Sequence, residues 1–106
     1  MEEEFEKVGE KATKLGIANI VMTTANQQYL YQFPRDVHGF RIQCRDGTTF
    51  RFAFEKDKVA TATPSNPYFT VPTNGHVLIK NINVEELRIY MAEGTGGKVA
   101  EIISWS

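Results

Sequence analysis

Thiol and imidazole are scarce in this chain: Cys44, His38 and His76 are all it has. A cysteine nucleophile needs an imidazole within hydrogen-bond reach and a third group to orient that base. Cys44 instead shares a face with Phe40 and Ile42 in the run FRIQC, the place of a small core hydrophobe. His38 precedes Gly39 and His76 follows Gly75, so both stand where strands begin, and nothing in the sequence brings them together. A lone cysteine also excludes an intrachain disulfide and a zinc site built on thiolates. Paired carboxylates of the glycosidase kind would need two acids facing one cleft. Glu55, Glu101 and the Glu85–Glu86 pair lie near strands, without a pattern that pairs them. EGTGGK has the glycines of a phosphate loop but not the G-x-x-x-x-G-K-[ST] spacing. A β pattern starts at Val99, where such a loop would need the N-terminus of a helix, so a hairpin turn is expected. No catalytic residue, metal or cofactor is expected.

Four arginines are better placed to act. Arg41, Arg45, Arg51 and Arg88 each alternate out of phase with apolar neighbours, and the first three fall on one expected hairpin. Such a face has three uses: a solvated surface whose charges discourage sheet-edge aggregation, an ion-pair surface between subunits, or a stripe for single-stranded nucleic acid. The last use needs exposed aromatics, whereas Phe40, Phe50, Phe52 and Phe54 alternate onto the opposite side. Twelve Lys and Arg against thirteen Asp and Glu leave a net charge of −1, which gives no help to nucleic-acid binding. Tyr29, Tyr31, Tyr68, Tyr90 and Trp105 hold open a sugar-stacking platform.

These residues must be positioned by short strands. Phe5, Val8, Ala12 and Leu15 mark one stripe of an acidic helix or arm over residues 1–16, with Gly16 as its stop. That helix is too short to persist unless it docks, on its own domain or on a neighbouring subunit. From residue 17 the period becomes strand-like. Strand patterns run over 17–23, 29–33, 40–45, 50–55, 68–71, 76–80, 86–92 and 98–105, separated by turn chemistry such as Asp46–Gly47 and Thr73–Asn74–Gly75. Asp46–Gly47 predicts a tight hairpin. Two prolines, Pro64 and Pro67, make residues 56–67 an irregular loop. The expected core is Ile20, Phe33, Phe40, Ile42, Phe50, Phe52, Phe54, Val77, Ile79, Leu87, Ile89, Val99, Ile103 and Trp105. About eight short antiparallel strands point to an all-β sandwich, jelly-roll-like, over residues 17–106 with a short N-terminal helix before it.

With 106 residues, one core suffices. No apolar run reaches the length of a membrane helix, and MEEEFEKVGEK is acidic where a signal peptide would be basic and then apolar. A reducing compartment is therefore expected, with no membrane.

The order of motifs TTANQQYLYQFP, FRIQCRDGTTFRFAF, NPYFTVPTNG, ELRIYMAEG and GKVAEIISW resembles that of a group of small β proteins encoded in bacteriophage and prophage structural-gene regions. The likeness covers residues 19–105 and leaves the arm outside. It implies a non-enzymatic virion structural or assembly protein, made in the bacterial cytoplasm, that self-associates or docks on capsid or tail proteins. The interface candidates are then Phe5, Val8, Arg41, Arg45, Arg51 and Arg88. The rival expectation is a carbohydrate-binding β-sandwich module of a host-facing tail component.

Overall fold

The computed structural model describes residues 14–106 except 62 and 64. Its eight strands are β1 (Leu15–Met22), β2 (Tyr29–Gln32), β3 (Gly39–Cys44), β4 (Phe50–Ala53), β5 (Phe69–Val71), β6 (His76–Ile79), β7 (Arg88–Ala92) and β8 (Lys98–Trp105). They form two four-stranded sheets: sheet A in the order β1-β8-β3-β6, and sheet B in the order β2-β7-β4-β5. Every neighbouring pair is antiparallel. Odd-numbered β1 and β3 lie in one sheet and β2 and β4 in the other, so the chain crosses between sheets at each of its first three links.

The core fills the space between the sheets. Phe40, Ile42, Cys44, Ala100 and Ile102 from sheet A meet Phe50, Phe52, Val71, Ile89 and Met91 from sheet B. The Phe40 and Phe52 rings meet edge to face across the gap, centroids 6.4 Å apart. Phe33, just past β2, packs on Phe40 with a centroid separation of 5.2 Å.

Four expectations are corrected. The helix over 1–16 lies outside the described residues as far as residue 13, and its last two positions are strand: Leu15 and Gly16 open β1, opposite Trp105 and Ser104. The Asp46–Gly47 hairpin does not form, because β3 and β4 belong to different sheets. Gly47 does make a turn, with φ +84° and its N–H donating to the Cys44 carbonyl at 3.1 Å. Thr48 and Thr49 then carry the chain to sheet B. The EGTGGK turn likewise links β7 in sheet B to β8 in sheet A. Strand periodicity cannot separate these cases, since strands facing each other across a core bury the same alternate residues as strands lying side by side.

The third correction concerns β8. Ala100 and Ile102 face the core, and Val99, Glu101 and Ile103 face outward. Glu101 explains the choice: its phase cannot enter the core without stranding a carboxylate. Trp105 shares the outward phase yet is buried, because its ring lies over Gly39, where any Cβ would stand 2.3 Å from Cζ2. Fourth, Phe54 lies past the end of β4 and is 53% exposed.

Residues 54–61 fold back over part of the outer face of sheet B. Val59, fully buried, seats on Ala53 and Ala92, with Tyr68 and Tyr90 packed around it. Around Ala53 and Ala92 sheet B is thus covered on both sides, while Leu30, Gln32 and Arg88 on the same face stay exposed. Among the described residues no segment folds over the outer face of sheet A in this way.

Candidate functional site

The outer face of sheet A follows from the register of β1, β8, β3 and β6. Ile17 stands opposite Ile103, Ile103 opposite Arg41, and Arg41 opposite Leu78. One step along, Asn19 stands opposite Glu101, then Gln43, then His76. Ile17, Asn19, Arg41, Gln43, Arg45, Glu101 and Ile103 line a shallow depression of about 400 Å³ on this face.

Its polar half is a network around one carboxylate. Glu101 accepts from Gln43 Nε2 at 3.0 Å and from Arg45 Nε at 2.8 Å. The Arg45 bond and then the Gln43 bond hold the Glu101 carboxyl below its ordinary value. With its amide turned to suit both neighbours, Asn19 accepts from Arg45 at 3.2 Å and donates to the Ala18 carbonyl at 3.2 Å. Arg45 is therefore anchored. Arg41 is exposed and makes no hydrogen bond or ion pair among the described residues. The apolar half is the edge strand: Ile17 is 77% exposed, Leu15 62% and Val21 54%. A free guanidinium beside an apolar strip suits an acidic, amphipathic polypeptide surface.

The sequence candidates thus divide. Arg41 and Arg45 come together on sheet A. Arg51 and Arg88 lie on the outer side of sheet B and do not join them. Arg51 holds the chain's own loop: its guanidinium donates to the carbonyls of Val59 and Ala60 (the latter at 3.2 Å) and to Asn26 Oδ1 at 2.8 Å. Arg88 donates to Gln32 Oε1 at 3.2 Å. Phe5 and Val8 lie outside the described residues. Asn19, Gln43 and Ile17 were not singled out by sequence. Their signal was faint: polar or apolar alternates with no partner motif.

The other chemistry has structural employment. Cys44 is buried, its Sγ donates to Asp46 Oδ1 at 3.3 Å, and burial above all pushes its pKa up. His38 precedes β3, while His76 stands opposite Gln43 towards the far end of that strand. Among the described residues no three His, Cys, Asp or Glu side chains gather as a metal site. In EGTGGK the buried Glu93 carboxylate takes the N–H groups that an anion would use, from Thr95 at 2.9 Å and Gly96 at 2.7 Å, with the Thr95 hydroxyl at 2.6 Å. The tyrosine platform is not assembled: Tyr29 and Tyr31 pack on the main core, Tyr68 and Tyr90 pack beside Val59, and Trp105 is buried. No helix among the described residues is long and apolar enough to cross a membrane.

The chain matches no family model, no curated protein and no solved structure. The geometry of sheet A is therefore what a functional reading has to stand on, beside the motif order.

Proposed function

We propose that this is a non-enzymatic structural or assembly protein of a phage or prophage virion, acting by self-association or by docking on capsid or tail proteins. The observation that carries the reading is the uncovered face of sheet A, with Arg41 free beside the exposed strip of Leu15, Ile17 and Val21. A small domain that folds a loop over one sheet and leaves apolar side chains on the other has a surface suited to a protein partner. The strand orders β1-β8-β3-β6 and β2-β7-β4-β5 support reading the sandwich as a jelly roll of two Greek keys, an architecture used by capsid proteins. It is also used by lectins, so the fold by itself does not choose between docking and sugar binding.

Light scattering after size exclusion tests the reading, on the full chain and on a chain lacking residues 1–13. A discrete oligomer supports it, and weakening on truncation assigns the acidic segment to the contact. A monomer at high concentration that also fails to bind purified particles would overturn it.

The second reading is a carbohydrate-binding module of a host-facing tail component. Its support is the exposed pair Phe54 and Phe69, which with Pro67 and Tyr68 border a concavity of about 240 Å³. Each of the two rings meets Phe52 edge to face. A glycan array with no signal above background would retire this reading.

A further inference from the structure

The four sheet edges of this molecule are not alike. β5 has three residues and lies between Pro67 and Pro72. β2 and β6 have four residues each, the first closed by Phe33–Pro34 and the second by Lys80. Short length, proline and lysine are the means by which proteins keep an edge from pairing. β1 has none of them: it is eight residues long, LGIANIVM, with neither charge nor proline.

Its unpaired hydrogen-bonding groups can be assigned. Lys14 and Ser106 exchange two backbone bonds, each of 3.0 Å, so they form a hydrogen-bonded pair at the start of the β1–β8 ladder. Alternation then gives Gly16, Ala18, Ile20 and Met22 to β8, and turns the N–H and C=O of Leu15, Ile17, Asn19 and Val21 outward. The backbone bonds from His38 N–H to the Trp105 carbonyl and from Arg45 N–H to the Val99 carbonyl confirm the phase on the other side of β8. Among the described residues, nothing pairs with that outward row.

We propose that the row is completed by β1 of a second copy, antiparallel, across a two-fold axis at Ala18. This deepens the self-association reading above and rests on it. The register follows from the chemistry: outward groups must meet outward groups, so Leu15 faces Val21 and Ile17 faces Asn19 of the partner copy, and the reverse. Any neighbouring symmetric register shortens the ladder. The full one makes about eight bonds between the copies, two for each such pair. It also sets the exposed Leu15 against Val21 on the outer face.

Self-matching selects a second copy over an unrelated strand: the outward row of β1 is symmetric about Ala18, so a second uncharged eight-residue edge supplies every donor and acceptor that the first lacks. In this register Lys14 emerges beside Met22 of the partner copy, near Lys98 and Arg45, whose charges are already met by Asp46 and Glu101.

Two variants test the arrangement in the full-length protein. Ile17→Pro removes an outward N–H and no bond to β8; it should raise the dimer dissociation constant about tenfold or more, measured by sedimentation, with the far-ultraviolet spectrum unchanged and the melt matching the parent's at concentrations where both are monomeric. Ala18→Cys places two sulfurs at the axis, where the expected Cα separation of about 4.5 Å is one that a disulfide spans. It should give a covalent dimer on mild oxidation, while Thr23→Cys should not. A dimer of twice the 12.0 kDa chain mass that responds in both ways supports the proposal. An oligomer indifferent to Ile17→Pro, with no cross-link at residue 18, would overturn the β1 edge while leaving self-association standing. A monomer throughout, without cross-link, would overturn both.

Discussion

Replacing Arg51 by methionine should unseat residues 54–61 from sheet B and leave assembly through sheet A intact. The guanidinium holds the Val59 and Ala60 carbonyls and Asn26, and Val59 beneath it is fully buried. Charged hydrogen bonds of this kind contribute about 2–3 kcal/mol when their loss leaves carbonyls unpaired. Methionine keeps the aliphatic contact, so that figure isolates the polar part. For a domain of this length it corresponds to a fall of about 8–12 °C in melting temperature. Val59→Ala should cost about 2 kcal/mol through the cavity it leaves. Because both changes act on the seating of one segment, their effects should sum to less than additive. Amide exchange read by mass spectrometry should show the loss in 54–61 first, with β3 and β8 protected. Arg41→Glu is the control: an exposed, unpaired side chain should shift stability by less than about 0.5 kcal/mol while changing association. If Arg51→Met melts with the parent and exchange in 54–61 does not rise, the loop is held by something other than this fork.

Gly39→Ala forces a methyl to 2.3 Å from Trp105 Cζ2 and 2.8 Å from the Ile79 carbonyl oxygen. It should cost about 3 kcal/mol and shift the emission of the chain's one tryptophan to the red, since the ring must lift. The carboxyls of Asp46, Glu93 and Glu101 all lie below their ordinary values. Asp46 is held chiefly by Lys98, and Glu101 by Arg45; at Glu93 burial pushes up but the bonds from Thr95 and Gly96 outweigh it. Their contribution is complete above the ordinary 3.8 and 4.5 and is lost as pH falls through the lower folded-state values. Lys98 has the opposite sign: raised by Asp46, its part is lost only as pH climbs through a value above 10.5. Urea midpoints should therefore fall on the acid side, and a triple Asp46→Asn, Glu93→Gln, Glu101→Gln variant should flatten that limb. Cys44 should label with thiol reagents at the rate of global unfolding; fast stoichiometric labelling of native protein would contradict its burial.

Strand positions were legible because alternation and turn residues act locally. The patterns around FRIQC, FRF and KVAEIISW each correspond to a strand in the structure. Pairing was not legible, because Phe40 and Phe52 alternate identically whether their strands lie side by side or face each other. The phase of β8 turned on the single residue Glu101, whose charge outweighed the larger apolar set of Val99, Ile103 and Trp105. Trp105 escaped even that logic, since its burial depends on Gly39, far away in sequence. The division of the arginines was invisible for the same reason: Arg45 and Arg51 flank one turn, and only the crossing between sheets sends one to the open face and the other beneath a loop.

That crossing also explains why the open face matters. The link after β4 is long enough to return over sheet B and seat Val59 on Ala53 and Ala92, so the chain covers that part of the face itself. Among the described residues sheet A has no such link. Its neighbouring strands β8 and β3 carry an anchored network of Glu101, Gln43 and Arg45 that keeps the centre of the face polar. The apolar excess is displaced to β1, the edge strand, where outward backbone groups and side chains lack partners among the described residues in the same eight positions. Two separate deficits thus coincide, and one antiparallel strand would meet both. A glycan or a flat protein surface could cover Leu15, Ile17 and Val21 but would leave the backbone row unpaired. A strand supplies both, and the nearest strand of matching length and symmetry is β1 itself.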